Sequence, residues 1–243
     1  MMRSKEKVDS LTFLEHLEEL RRRIIAVLAF WLIAFGISYV FVDKILSFVF
    51  RPLTPFQPKP VFTRPTEPFL VTFGVCALVA ALISLPVLIA QIWLFVAPGL
   101  TTRERQLSRW VLLGLIVFSF SGMAFGFFFL VPVGLKVLLG FARQTMTPLI
   151  SAGSYLGFVA MLTLGLAAVF NLPVVLGALA ACGVIEPTVL RGNRRLAVVL
   201  ALVVAAVITP TTDIVTQVLL GTALVVLYEI GIIFATVFRR SSN

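Results

Sequence analysis

Phe13-Leu14-Glu15-His16-Leu17-Glu18-Glu19-Leu20-Arg21-Arg22-Arg23 is the charge-dense stretch that leads into the first apolar run, with seven of eleven residues Glu, Arg or His. Leu14, Leu17, Leu20 and Ile24 recur at three- and four-residue steps, which makes one apolar stripe on a helix. Thr12-x-x-Glu15 fits a capping box, so the helix is expected to start at Thr12. Glu18 with Arg22, and Glu19 with Arg23, stand four apart in the favourable order for ion pairing. The three arginines abut an apolar run over residues 24–41. The pattern over 10–23 therefore predicts an amphipathic helix lying on a membrane surface and feeding a span. Its carboxylates have two readings: they neutralise neighbouring arginines, or they bind something cationic.

Working outward, the chain has 243 residues, 60% hydrophobic and 13% charged, which is a membrane composition. The net charge of +9 sits in clusters between apolar runs, pointing to topology and anionic headgroups and not to nucleic acid. Six apolar runs follow, over about 24–41, 69–97, 110–131, 155–184, 196–208 and 214–234. The first is too long, and too poor in small residues at its end, to read as a cleaved leader. Residues 43–68 hold Pro52, Pro55, Pro58, Pro60, Pro65 and Pro68, so a stiff, extended connection is expected there after a short surface helix. Pro86 should kink the second span, Pro98 should stop it, and Pro132 should end the third. Pro173 interrupts the fourth, and Pro210 opens the turn before the last. The fifth run, only 13 residues, spans about 20 Å of helix and is too short for an ordinary bilayer. Cys76 and Cys182 fall near opposite faces and are expected to remain unpaired.

Loops on one side carry 14 Lys and Arg against 6 on the other. The positive-inside rule then places both termini in the cytoplasm, with six crossings and a single membrane domain over 1–243. No internal repeat of the transporter kind is visible. His16 is the only histidine, so neither a Ser-His dyad within the bilayer nor a multi-His metal site can form. These absences argue against an intramembrane protease or a metalloenzyme, and no cofactor is expected. The alternative function is a small secondary transporter, which would need coupling residues at the midplane.

Several motifs now stand in order: His16-Leu17-x-Glu19-Leu20-Arg21-x-Arg23, Pro65-Thr66-Glu67-x-Phe69, and Gln91-x-Trp93-x-Phe95-x-Ala97-Pro98-x-Leu100 with Glu104-Arg105. Phe170-x-Leu172-Pro173-Val174, Thr209-Pro210 with Asp213-x-x-x-Gln217, and Tyr228-Glu229-x-Gly231 follow. Together, over about residues 10–238, they resemble TatC, the receptor subunit of the twin-arginine protein translocase. The resemblance implies an all-α, concave, cupped bundle of six transmembrane helices with the last two short, in the bacterial or archaeal cytoplasmic membrane. It implies binding of the twin-arginine signal peptide of folded cargo, assembly with single-span partners of the TatA and TatB type, self-association in the complex, and transport driven by the proton-motive force. It carries Glu19, Arg21, Phe95, Glu104 and Arg105 to the signal-peptide site, and Asn171, Asp213, Gln217 and Glu229 to intramembrane or partner contacts. Many family members have Glu where this chain has Asn171. Asn offers hydrogen bonds there but cannot titrate.

The residues themselves support part of this. A twin-arginine ligand needs carboxylates, because guanidinium forks pair with them bidentately. Glu19 and Glu104 fall on the same membrane face by the charge count, among arginines that would otherwise repel a cationic peptide. Asn171, polar in mid-span, either completes a hydrogen bond within the bundle or meets a partner helix.

Overall fold

The computed structural model describes the backbone over 2–56, 60–96, 104–140, 149–209 and 214–242, and side chains from residue 17 onward except at 93, 94, 96, 104–109 and 240–242. The described chain is almost entirely helical: α1 Met2–Val40, α2 Val42–Val49, α3 Glu67–Val96, α4 Glu104–Ala124, α5 Val131–Gly140, α6 Ala152–Val169, α7 Leu172–Ala181, α8 Pro187–Gly192, α9 Arg194–Ile208 and α10 Ile214–Ser242. Five helical stretches are long and apolar enough to cross a membrane, within α1, α3, α4–α5, α6–α7 and α10. The short α9 makes a sixth apolar helix.

The element at the centre is α6. Its Tyr155, Leu156, Val159, Leu162, Thr163, Leu166 and Ala167 are all buried. Glycines let its neighbour approach: a Cβ at Gly122 of α4 would sit 2.5 Å from the Leu166 carbonyl oxygen, so only glycine fits that crossing. Peripheral helices look different. Of the described residues of α1, only Ala34 and Ser38 are buried, while Ile24, Leu28, Leu32 and Ile33 are exposed as a lipid-facing surface would be. α1 packs on α3 through rings, with Phe35 and Phe73 centroids 6.0 Å apart and Tyr39 and Phe73 5.7 Å apart.

Several expectations need correction. The helix does not start at Thr12, nor is 10–23 a surface helix separate from the first span. α1 is one unbroken helix of 39 residues, about 58 Å. Good helix formers run through the whole charged stretch, with no Gly or Pro to break it. Pro132 does not end the third span. Six residues, Phe125–Leu130, take π-helical geometry just before it, and the helix resumes to Gly140, so the span continues through Pro132. The wider turn relieves the clash that a proline ring makes with the carbonyl four residues back. Pro86 lies inside α3 without ending it. Pro52 lies in a 3₁₀ turn, Arg51–Leu53, so the Pro-rich connection begins as a tight turn and not as extended chain. Pro173 starts α7 after a break at Phe170–Asn171. Of the two final helices only α9 is short, with 15 residues; α10 has 29. Cys76 and Cys182 form no disulfide with each other. Pro98, Pro210 and Asp213 lie outside the described residues.

Helix ends gather at two levels. At one lie the end of α2 and the starts of α3 and α6, joined by Tyr155, whose hydroxyl donates to the Val49 carbonyl at 2.7 Å. At the other lie α8, the start of α9 and the end of α10, joined by Tyr228 donating to the Leu190 carbonyl at 2.9 Å. α9 ends against the middle of α6: Ile208 packs on Gly165, thirteen residues, or about 20 Å, from the start of α6.

Candidate functional site

The candidate site is built where α1 and α3 run side by side, at the end that carries the arginines. Leu17, Leu20 and Ile24 are exposed, so this turn of α1 is held less by apolar burial than by polar bonds. Arg23 supplies them. Its Nε donates to Glu19 Oε1 at 3.1 Å, its Nη2 donates to the same oxygen, and its Nη1 donates to Gln91 Oε1 of α3 at 3.0 Å. One guanidinium thus occupies a carboxylate on its own helix and an amide on the next. Glu18, Glu19, Arg22, Arg23, Ala26 and Gln91 line a polar cleft here of about 540 Å³. Glu19 is 37% exposed and Arg23 21%, so the carboxylate can be reached from water while the arginine is partly sheltered.

Of the predicted i,i+4 pairs, Glu19–Arg23 forms. Glu18 instead lies 3.8 Å from Arg21, and both of those side chains are largely exposed. Phe95 is half-buried, one turn beyond Gln91 on the same helix face. Glu104 opens α4, but its side chain and that of Arg105 lie outside the described residues. The structure therefore brings Glu19 and Phe95 to helices joined by the Arg23–Gln91 bond. Arg21 sits on the exposed side of the same turn.

The other predicted polar residues are dispersed. Asn171 is buried and satisfied: Nδ2 donates to the Ala167 carbonyl at 2.7 Å and to Ser119 Oγ at 2.9 Å, tying the α6–α7 break to α4. Its bland reading, a hydrogen bond within the bundle, is what the geometry shows. Asn171 also borders an apolar groove of about 470 Å³ formed with Val175, Leu196, Leu200 and Leu224. Gln217 reaches the Leu202 carbonyl at 3.4 Å. Glu229 pairs with Arg194 at 2.8 Å and so joins α10 to the start of α9.

Two residues quoted in the motifs, Glu67 and Gln91, have large structural roles that the sequence did not assign. Glu67 is buried, and its carboxylate accepts from the Thr63 amide at 2.7 Å, the Thr63 hydroxyl at 3.0 Å and the Gly153 amide at 2.8 Å. It fastens the loop before α3 to the first turn of α6, beside the Ala152-to-Val61 backbone bond of 2.8 Å. Gln91 is the second. A lone amide in an apolar run, facing a lone sheltered arginine, was the signal available for it.

With this geometry in hand, comparison with known proteins is decisive. The family model described as Sec-independent protein translocase protein (TatC) matches residues 15–222. The chain belongs to the TatC family. A TatC-family protein of Carboxydothermus hydrogenoformans is 33% identical over 225 residues, 93% of each chain. One from Aquifex aeolicus is 34% identical over 233 residues, 94% of this chain and 96% of that one. A crystal structure of a twin-arginine translocase receptor, TatC, superposes with a TM-score of 0.78 at 34% identity, covering 92% of this chain and 99% of the other. TatC membership fixes the class: an all-α membrane component of a protein translocase and not an enzyme.

Proposed function

We propose that this chain is the receptor and core subunit of a twin-arginine translocase, and that Glu19, with Glu104, holds the arginine pair of a signal peptide at the cytoplasmic face. The supporting observation is that Glu19 already holds a guanidinium, that of Arg23, in a cleft open to water. A carboxylate arranged for one guanidinium fork suits another. Phe95, Arg21 and Arg105 flank the site, with Phe95 offering an aromatic face to the apolar segment that follows the arginines.

Under this reading the chain lies in the bacterial or archaeal cytoplasmic membrane, with six crossings, α9 among them, and both termini inside. Single-span TatA and TatB-type subunits, and further copies of this chain, assemble on its lipid-facing helices. Asp213, Gln217 and Glu229 are the polar residues proposed for such contacts, while Asn171 shapes the α6–α7 break from inside the bundle. The apolar groove beside Asn171 supports a partner helix at that place.

Binding is tested with the detergent-solubilised chain and a labelled twin-arginine peptide, comparing wild type with E19Q and E104Q. Both variants should bind more weakly; unchanged affinity in both contradicts the reading. Topology is tested by cysteine labelling in a background without Cys76 and Cys182. Probes at Gln57 and Thr145 should react from outside, and probes at Thr102 and Asn193 only from inside.

A further inference from the structure

We propose that Arg23 is a built-in competitor for the incoming arginine, so that a signal peptide must displace a resident guanidinium to bind. This rests on the reading of Glu19 as the receiver of a signal-peptide arginine.

The three arginines of the opening stretch are not equivalent. Arg21 is 73% exposed and meets only Glu18, at 3.8 Å. Arg22 lines the cleft but makes no ion pair among the described residues. Arg23 alone is sheltered, and it spends three N–H groups on two acceptors, Glu19 Oε1 and Gln91 Oε1. Those are the acceptors an arriving arginine would use. Replacing one guanidinium by another conserves the fork and costs little in exchange. Replacing it by an ammonium trades several directed bonds for a point charge. The resident arginine thus lowers affinity for every cationic peptide by the same factor, while the fork geometry of the vacated acceptors favours arginine over lysine.

The release also has a structural consequence. Among the described residues Arg23 makes the polar bond from α1 to α3 at this end, so its displacement breaks the link to Gln91. Phe95, one turn further along α3, then becomes accessible from the α1 side.

The test measures affinity of synthetic Arg-Arg and Lys-Lys peptides for the detergent-solubilised full chain. R23Q should tighten Arg-Arg and Lys-Lys binding alike, by about 3- to 10-fold, leaving the preference between them unchanged. R23K keeps the charge but loses the fork, and should give a smaller gain of about 2-fold; it also preserves the proposal's test if R23Q fails to insert. R22Q removes an equal charge from the same cleft and should change affinity by less than about 2-fold. Equal gains in R22Q and R23Q would mean general charge repulsion and overturn the proposal. Weaker binding in R23Q would make Arg23 a scaffold for Glu19 and overturn it too. In an E19Q background the R23Q gain should vanish. If E19Q leaves wild-type affinity untouched, the receiver reading itself fails; if E19Q weakens binding but R23Q and R23K do not tighten it, only the competitor is wrong.

Discussion

Two carboxylates mark opposite ends of α3, and they are held in opposite ways. Glu67 is 9% exposed and is saturated by donors that cannot leave, two backbone amides and a neighbouring hydroxyl. Glu19 is 37% exposed and is held by the guanidinium of Arg23, on a side chain that can rotate away. The first arrangement locks a loop onto the bundle; the second leaves a site that can exchange partners. Backbone donors are fixed by the fold, whereas a side-chain donor costs only its own rearrangement. That difference, more than the presence of charge, separates a structural carboxylate from a binding one.

The comparison breaks or sharpens through substitution. The largest effect on stability should come from Glu67→Gln, which turns an amide N–H₂ toward groups that are themselves donors. Thermal unfolding in detergent should fall by several degrees, and protease added from the outer side should cleave the 60–67 loop, with peptide affinity unchanged in the surviving fold. Glu19→Gln should do the reverse: peptide affinity falls by about 5- to 30-fold while the unfolding temperature stays put. If both substitutions behave alike, the distinction fails.

Asn171 should side with Glu67. Its amide is buried and bonded twice, so Asn171→Ala should cost about 1–2 kcal/mol in detergent unfolding and leave peptide affinity unchanged. A loss of affinity there would make the α6–α7 break part of the binding site.

The smallest effect should be at the α8 end. Hydrogen bonds from Arg239, then Thr188, together with the charge of Arg239, hold the Glu186 carboxyl below its ordinary value of 4.5. A depressed carboxylate contributes stability that is present above the unfolded value and lost as pH falls through the folded one. Stability should therefore decline slightly on acidification below about pH 4.5. Arg239→Gln should flatten that slope. Both side chains are exposed, so the change should be near the limit of calorimetry.

Much of the fold was legible because apolar length is the main signal in a bilayer. The runs near 69–97 and 155–184 appear as helices Glu67–Val96 and Ala152–Ala181, the latter broken at Phe170–Asn171, just before Pro173. The errors came where a local breaker was overruled. Pro132 reads as a stop, yet a π-helical turn absorbs it, and that choice depends on α6 packing against Gly126. The charged stretch reads as a surface helix because amphipathicity does not report whether a helix turns before its span. For the site, residue types pointed correctly to carboxylates, but pairing did not follow from spacing alone. The Arg23–Gln91 bond joins residues 68 apart, and the Glu67–Gly153 bond residues 86 apart. Neither separation leaves a periodic trace.

The most direct test of the central claim is a double-mutant cycle between Glu19 and the signal peptide. Affinity is measured for wild type and E19Q, each with an Arg-Arg peptide and with peptides in which either arginine is lysine. Each single change should weaken binding by about 5- to 30-fold, and E19Q combined with lysine at the paired position should lose far less than the product of the two. Losses that simply multiply at both peptide positions would mean that Glu19 is a solvated charge neutralising Arg23, and that the peptide binds elsewhere.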